Sequence, residues 1–146
     1  MPVALGPQDA ARAGGRATHP LDREARDLMT PGVVTIVEDT TLRQVYRALR
    51  AHDVHALLVV SRHGGRSLGW VTARGILAWL DKDASLACAR DAVTEAPTAI
   101  APSASGREAL AALAQPGVSH LLVQRAAEAM PEGVISDVDL VPAVLD

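Results

Sequence analysis

Ala56-Leu57-Leu58-Val59-Val60 is an unbroken apolar run whose centre returns 64 positions later (121 − 57) as Leu121-Leu122-Val123. Such a run is typical of a strand buried on both faces. Working outward, the same offset keeps finding partners without a gap. Val54 meets Val118, Ala48-Leu49 meets Ala112-Leu113, Arg43 meets Arg107 and Ile36 meets Ile100. Upstream, Ala25-Arg26-Asp27 meets Ala89-Arg90-Asp91 and Thr30 meets Thr94; downstream, Gly69 meets Gly133. One shift that serves the whole length identifies a duplicated unit. Each copy, at about 60 residues, buries too little surface to be robust alone. The two are therefore expected to pack sheet to sheet across a pseudo-twofold axis, with clefts between them where a ligand can sit.

Within a copy, Val33-Val34-Thr35-Ile36 reads as a β-branched strand. Thr41-Leu42-Arg43-Gln44 is a capping-box pattern, and Ser105-Gly106-Arg107-Glu108 repeats it. The helix that follows places Leu42, Val45, Tyr46 and Leu49 on one face turned toward a core; Ala109, Leu110 and Leu113 are the counterparts. After the buried run, Gly64-Gly65 marks a turn and Leu68-Gly69-Trp70-Val71 a returning strand. A helix from about residue 73 to 80, with Ile76, Leu77 and Leu80 along one side, closes the unit. Each copy thus reads β-α-β-β-α, an α/β (α+β) class. Residues 85–93 read as a helix joining the copies, and 124–132 as a polar, flexible loop. Pro142 should break or kink the last helix and keep it short. The division is a mobile leader over residues 1–20, a first repeat over 21–84 and a second over 85–146.

Composition narrows the function. Hydrophobic residues make up 49% of the chain, yet there is no Phe and only Trp70, Trp79 and Tyr46 are aromatic. The interior must be aliphatic, and the aromatic faces on which single-stranded nucleic acids stack are missing. A net charge of −3 opposes the basic footprint of a nucleic-acid binder. No stretch approaches the roughly 20 apolar residues of a membrane span, and MPVALGPQDAARAGGRATHP has no apolar signal core. Cys88 is the sole cysteine, so no disulfide can form within the chain; it reads as a small apolar residue on a helix. A cytoplasmic setting is expected.

Gly133-Val134-Ile135-Ser136-Asp137-Val138-Asp139-Leu140 carries the pattern Gly-apolar-apolar-Ser-x-x-Asp-apolar. Together with the duplication and the order of elements, it resembles the CBS (cystathionine β-synthase) domain family over roughly residues 25–145. The resemblance implies a tandem CBS pair, often called a Bateman module, that is regulatory and not catalytic. It implies AMP, ATP, S-adenosylmethionine or a related adenosyl ligand in a cleft between the repeats, no required cofactor, and pairing into homodimers.

The chemistry of the motif can be argued separately. Ser136 stands where a strand becomes a helix, and backbone N–H groups there lack intrahelical partners and attract anions. Asp139, one turn on, can accept hydrogen bonds from two neighbouring hydroxyls, as a ribose diol presents them. Ser136, Asp137 and Asp139 are the candidate ribose and phosphate residues. Ser-x-x-Asp is equally an ordinary capping box, and both roles can coexist. The first repeat keeps Thr72 but has Gly75 where the aspartate belongs, so its site should bind weakly, bind something else or stand empty. Carried over from the family, the adenine side falls near Pro97, Thr98, Ala99 and Ile100, with His120 in the same cleft. Arg74 is either a phosphate contact across the pseudo-axis or a solvated helix residue.

His52-Asp53-Val54-His55 has metal-ligand residue types, but its histidines lack the i, i+4 spacing of zinc helices, and no metal is expected. Trp79 is either an anchor for self-association or a core residue. No nucleophile elbow, phosphate-gripping Gly-Lys-Ser/Thr loop or dinucleotide fingerprint occurs. The leading function is a sensor of an adenosyl ligand, read by a separate effector protein. The alternative is a scaffold that has lost its ligand and serves for dimerisation.

Overall fold

The structure is a computed structural model that describes residues 19–146. The leader expected over residues 1–20 lies outside the described residues apart from His19 and Pro20, where a 3-10 turn begins (Pro20–Asp22). A short α1 (Ala25–Leu28) and β1 (Thr30–Pro31) lead into β2 (Thr35–Val37), α2 (Leu42–Ala51), β3 (Ala56–Val60), β4 (Ser67–Thr72) and α3 (Ala73–Leu77). Two 3-10 turns follow, Ala84–Leu86 and Ala89–Ala92. Then come β5 (Ala99–Ile100), α4 (Gly106–Leu113), β6 (His120–Val123), β7 (Gly133–Ser136) and α5 (Asp137–Leu145). The β-α-β-β-α order therefore occurs twice.

The repeat extends to strand register. In the first sheet, β2 runs parallel to β3 with Thr35 opposite Leu58, and β4 runs antiparallel with Trp70 opposite Leu58. In the second, β5 is parallel to β6 with Ala99 opposite Leu122, and β7 is antiparallel with Val134 opposite Leu122. All four pairs obey the 64-residue offset. Because strand side chains alternate between faces, each buried run feeds two cores. Leu57 and Val59 face the first lobe's helices, packed with Leu42, Val45, Leu49, Val71 and Ile76. Leu121 and Val123 face the second lobe's, packed with Ala109, Ile135 and Leu140. Leu58, Trp70 and Leu122 point the other way and meet between the sheets. That seam joins the lobes.

The leading segment of each repeat crosses to the other lobe. Ala25 N donates to Ala104 O (2.6 Å) and Arg26 N to Pro102 O (3.0 Å). Their copies Ala89 and Arg90 donate to Thr40 O and Glu38 O (2.9 Å each). Leu21, Ala25 and Leu28 accordingly belong to the second core, and Ala87, Ala89 and Ala92 to the first. The boundary between residues 84 and 85 divides the sequence; in space the lobes exchange these segments.

Several local expectations need correction. The first strand begins at Thr35, two residues late; Val33 packs at the seam and Val34 against the first core. Tyr46 is 46% exposed although it shares the apolar spacing: only Leu42, Val45 and Leu49 reach the core, and the Arg50 guanidinium covers the Tyr46 ring at 5.9 Å. Leu110, likewise expected inward, is half exposed. The helix expected over 73–80 is α-helical only to Leu77 and then tightens, with Trp79 N donating to Ile76 O and Leu80 N to Leu77 O. No continuous helix spans 85–93, since Ala89 and Arg90 give their N–H groups to the β2–α2 connection rather than to a helical carbonyl. Helix α5 runs through Pro142. The carbonyl that this proline leaves unpaired belongs to Val138, which is 67% exposed and open to water. Trp79 packs partly buried against the first core, beneath the Lys82 ammonium at 5.2 Å.

Candidate functional site

Strand β1 pairs antiparallel with β7, Thr30 opposite Val134 and Pro31 opposite Gly133. The pairing depends on Gly133, where a Cβ would lie 2.5 Å from both Met29 Sδ and Thr30 O. It brings the leading segment of the first repeat against the motif of the second. There the Asp139 carboxylate is held from two sides. Ser136 N donates to Oδ2 at 2.8 Å, and Thr30 Oγ donates to Oδ1 at 2.5 Å from 109 residues away in sequence. Ser136 itself is buried. An ionised carboxylate offers about four lone-pair positions; Oδ1 keeps one open, while Oδ2 also takes a long contact from Ser136 Oγ at 3.5 Å. The capping role is realised, and the carboxylate is left half satisfied and oriented.

This carboxylate stands in a cleft of about 560 Å³ between the lobes, within the usual range for small-molecule sites. The lining draws on Thr30-Pro31-Gly32-Val33-Val34, on Asp53, Val54, His55 and Ala56 from the α2–β3 junction, on Trp70 and His120, and on Val134, Ser136, Val138 and Asp139. The His120 ring packs on Trp70 with centroids 5.0 Å apart.

Of the residues singled out from the sequence, Ser136, Asp139 and His120 are brought together here. Asp137 is exposed on the first turn of α5 and does not line the cleft. Nor do Pro97, Thr98, Ala99 and Ile100, which lie at the other seam: Thr98 O accepts from Leu122 N (2.8 Å), and β5 flanks β6. The exchange of leading segments explains the difference, for the copy that reaches Asp139 is Thr30–Val34. Arg74 is exposed on α3, outside the cleft lining.

At the equivalent position of the first repeat, Thr72 caps α3. Thr72 Oγ accepts from Gly75 N at 3.3 Å, an ordinary helix cap. A Cβ on Gly75 would lie 2.3 Å from Ala92 O. The position therefore lacks room for any side chain as well as lacking a carboxylate. Beside it, Glu95 reaches across to the start of β6. Its Oε2 accepts from Ser119 N and His120 N at 2.9 Å each, and its Oε1 from Ser119 Oγ at 2.5 Å. The His120 Nδ1 stands 3.4 Å from that Oε1. The Glu95 side chain is only 11% exposed. Burial pushes its carboxyl upward, but the donors of Ser119 and His120 outweigh that and hold it below the usual carboxylate range. Sequence reasoning passed over Glu95 and weighed Asp53 only as a metal-ligand type within His52-Asp53-Val54-His55. The available signals were breaks in the repeat: Glu95 stands where the first copy has Pro31, and Asp53 where the second has Gly117.

Among the described residues no group of three or more His, Cys, Asp or Glu could hold a metal ion, and no helix is long and apolar enough to cross a membrane. The CBS domain family model matches residues 25–82. The chain is similar in structure to the CBS domain of a bacterial CNNM/CorC family Mg2+ transporter solved in complex with ATP. That likeness has a TM-score of 0.74 at 17% identity, over 86% of this chain and 89% of that one. It is similar to a CBS-domain containing protein from Agrobacterium tumefaciens (TM-score 0.72, 20% identity, 88% and 98% covered). A putative acetoin utilization protein from Vibrio cholerae is also similar (0.67, 24%, 82% and 87%). No curated protein matches the sequence. At these identities the structural likenesses establish the fold. The family match identifies residues 25–82 as a CBS domain, and the same fold and register recur in the second repeat.

Proposed function

We propose that the chain is a regulatory, non-catalytic sensor that binds an adenosine-containing small molecule in the cleft at Asp139. A separate effector protein, and pairing of the chain into a homodimer, belong to the same reading. The observation that carries it is the Asp139 carboxylate: oriented by Ser136 and Thr30, retaining acceptor capacity, and facing a cleft of ligand size. A ribose diol matches that capacity, and hydrogen bonds to a charged acceptor contribute about 1.5–3 kcal/mol each. The ATP complex of the transporter CBS domain supports the ligand class. Ligand occupancy acts on a partner only by favouring one arrangement of the lobes over another.

The test is a thermal-shift panel of adenosine, AMP, ADP, ATP, S-adenosylmethionine and NAD on the parent chain and on Asp139→Ala. Selective binding to the folded state at about a hundred times Kd stabilises by about 2.7 kcal/mol. That upward shift should appear with at least one adenosyl compound, and the variant should lose most of it. If no compound stabilises the parent, a ligand-free dimerisation scaffold becomes the better account. The glycine at position 75 favours that second reading, since the first repeat lacks the carboxylate of the motif and has no room for one.

A further inference from the structure

The charges around the cleft discriminate among adenosyl ligands. Among the described residues no Lys or Arg lines it; the formal charges these contribute are the carboxylates of Asp53 and Asp139, accompanied by the imidazoles of His55 and His120. The first turn of α5, where an anion would otherwise be welcome, already carries Asp137 and Asp139, and the latter occupies the Ser136 N–H. Arg74, the cation expected to meet phosphates, lies outside the cleft lining.

Asp53 is the most telling member. It follows the C-terminus of α2 in the left-handed region, at φ 52°, where its repeat partner is Gly117 at φ 78°. Glycine is the ordinary residue for that conformation. A carboxylate there is also disfavoured by the negative end of the helix dipole. Among the described residues the Asp53 side chain has neither a hydrogen-bond nor an ion-pair partner. A residue that breaks local preference on two counts and faces a cleft is the kind that function retains. Trp70, 2% exposed in the wall of the same cleft, adds an indole N–H that is buried without a partner. Such orphan donors are rare in folded proteins.

Resting on the adenosyl reading above, we propose that the cleft takes an adenosyl ligand without phosphate, neutral or positively charged at its 5′ end, and that Asp53 sets this selectivity. A phosphate tail would meet two carboxylates and no cation; a sulfonium or amine would meet the complementary field.

Calorimetric titrations of the full chain with adenosine, 5′-methylthioadenosine, S-adenosylmethionine, AMP and ATP, all at one low ionic strength, decide the matter. The phosphate-free compounds should bind at least tenfold more tightly than AMP or ATP. In Asp53→Asn, which the left-handed position tolerates, the ratio of adenosine to AMP affinity should fall several-fold. AMP or ATP binding as tightly as adenosine would overturn the selectivity while leaving the adenosyl reading intact. An unchanged ratio in Asp53→Asn would remove Asp53 from the explanation. Failure of all five compounds to bind would overturn both readings.

Discussion

Gly75→Asp restores, in the first repeat, the aspartate of the intact motif, so a reading of sequence alone expects it to create a second ligand site. The tertiary structure demands the opposite. A Cβ at position 75 would lie 2.3 Å from the Ala92 carbonyl oxygen and 3.4 Å from Thr94 Cγ2. The first contact is with backbone, which cannot swing aside as a flexible side chain can, so α3 or the Ala89–Ala92 turn must move by most of an ångström. Overpacking of this kind costs about 1–3 kcal/mol. Replacing a helical glycine returns up to about 1 kcal/mol of propensity, and a carboxylate in the first turn a few tenths more. With that return in full, the net is a loss of up to about 2 kcal/mol. In a chain of this length each kcal/mol lowers Tm by about 3–6 °C. Urea unfolding followed by the fluorescence of Trp70 and Trp79 measures the loss directly. Gly75→Ala, carrying the same Cβ without charge, should lose stability too. Calorimetric stoichiometry should stay at or below one ligand per chain in Gly75→Asp. A stabilised Gly75→Asp, or one that binds two ligands, would refute the steric argument.

Two further outcomes follow from the same geometry. Glu95 has its carboxyl held below the ordinary value of 4.5. It therefore contributes stability that is fully present above pH about 4.5 and is lost as pH falls through the lowered folded value. Glu95→Gln should flatten that acid limb of the stability profile, while a parent-like limb would show that other carboxylates dominate. Gly133→Ala forces its Cβ against Met29 Sδ and Thr30 O, prising β1 from β7. A loss of about 1–3 kcal/mol and weakened ligand binding through the displaced Thr30–Asp139 bond should appear together. Loss of stability with ligand affinity intact would separate Thr30 from the site.

The lobes were legible because their causes are local and repeated. The apolar runs at Leu57–Val59 and Leu121–Val123, the caps at Thr41 and Ser105, and one constant offset suffice to read the unit and its order of elements. Side-chain alternation along a buried strand then dictates two cores and a seam. Ser136 and Asp139 were legible for a similar reason, since a helix start and the residue one turn later are coupled by geometry that involves no distant part of the chain.

What only the tertiary structure decided is which copy meets which. A pattern that repeats after 64 residues is satisfied equally by each leading segment folding onto its own lobe or onto its twin's, and local propensities are the same in both cases. The hydrogen bonds of Ala25 and Ala89 to opposite lobes settle it, placing Thr30–Val34 rather than Pro97–Ile100 beside Asp139. The tight packing at Gly75, the reach of Glu95 to Ser119 and His120, and the presence of Asp53 and Asp139 in one cleft share that origin. They are contacts between residues far apart in the chain, whose distances depend on how two lobes come together.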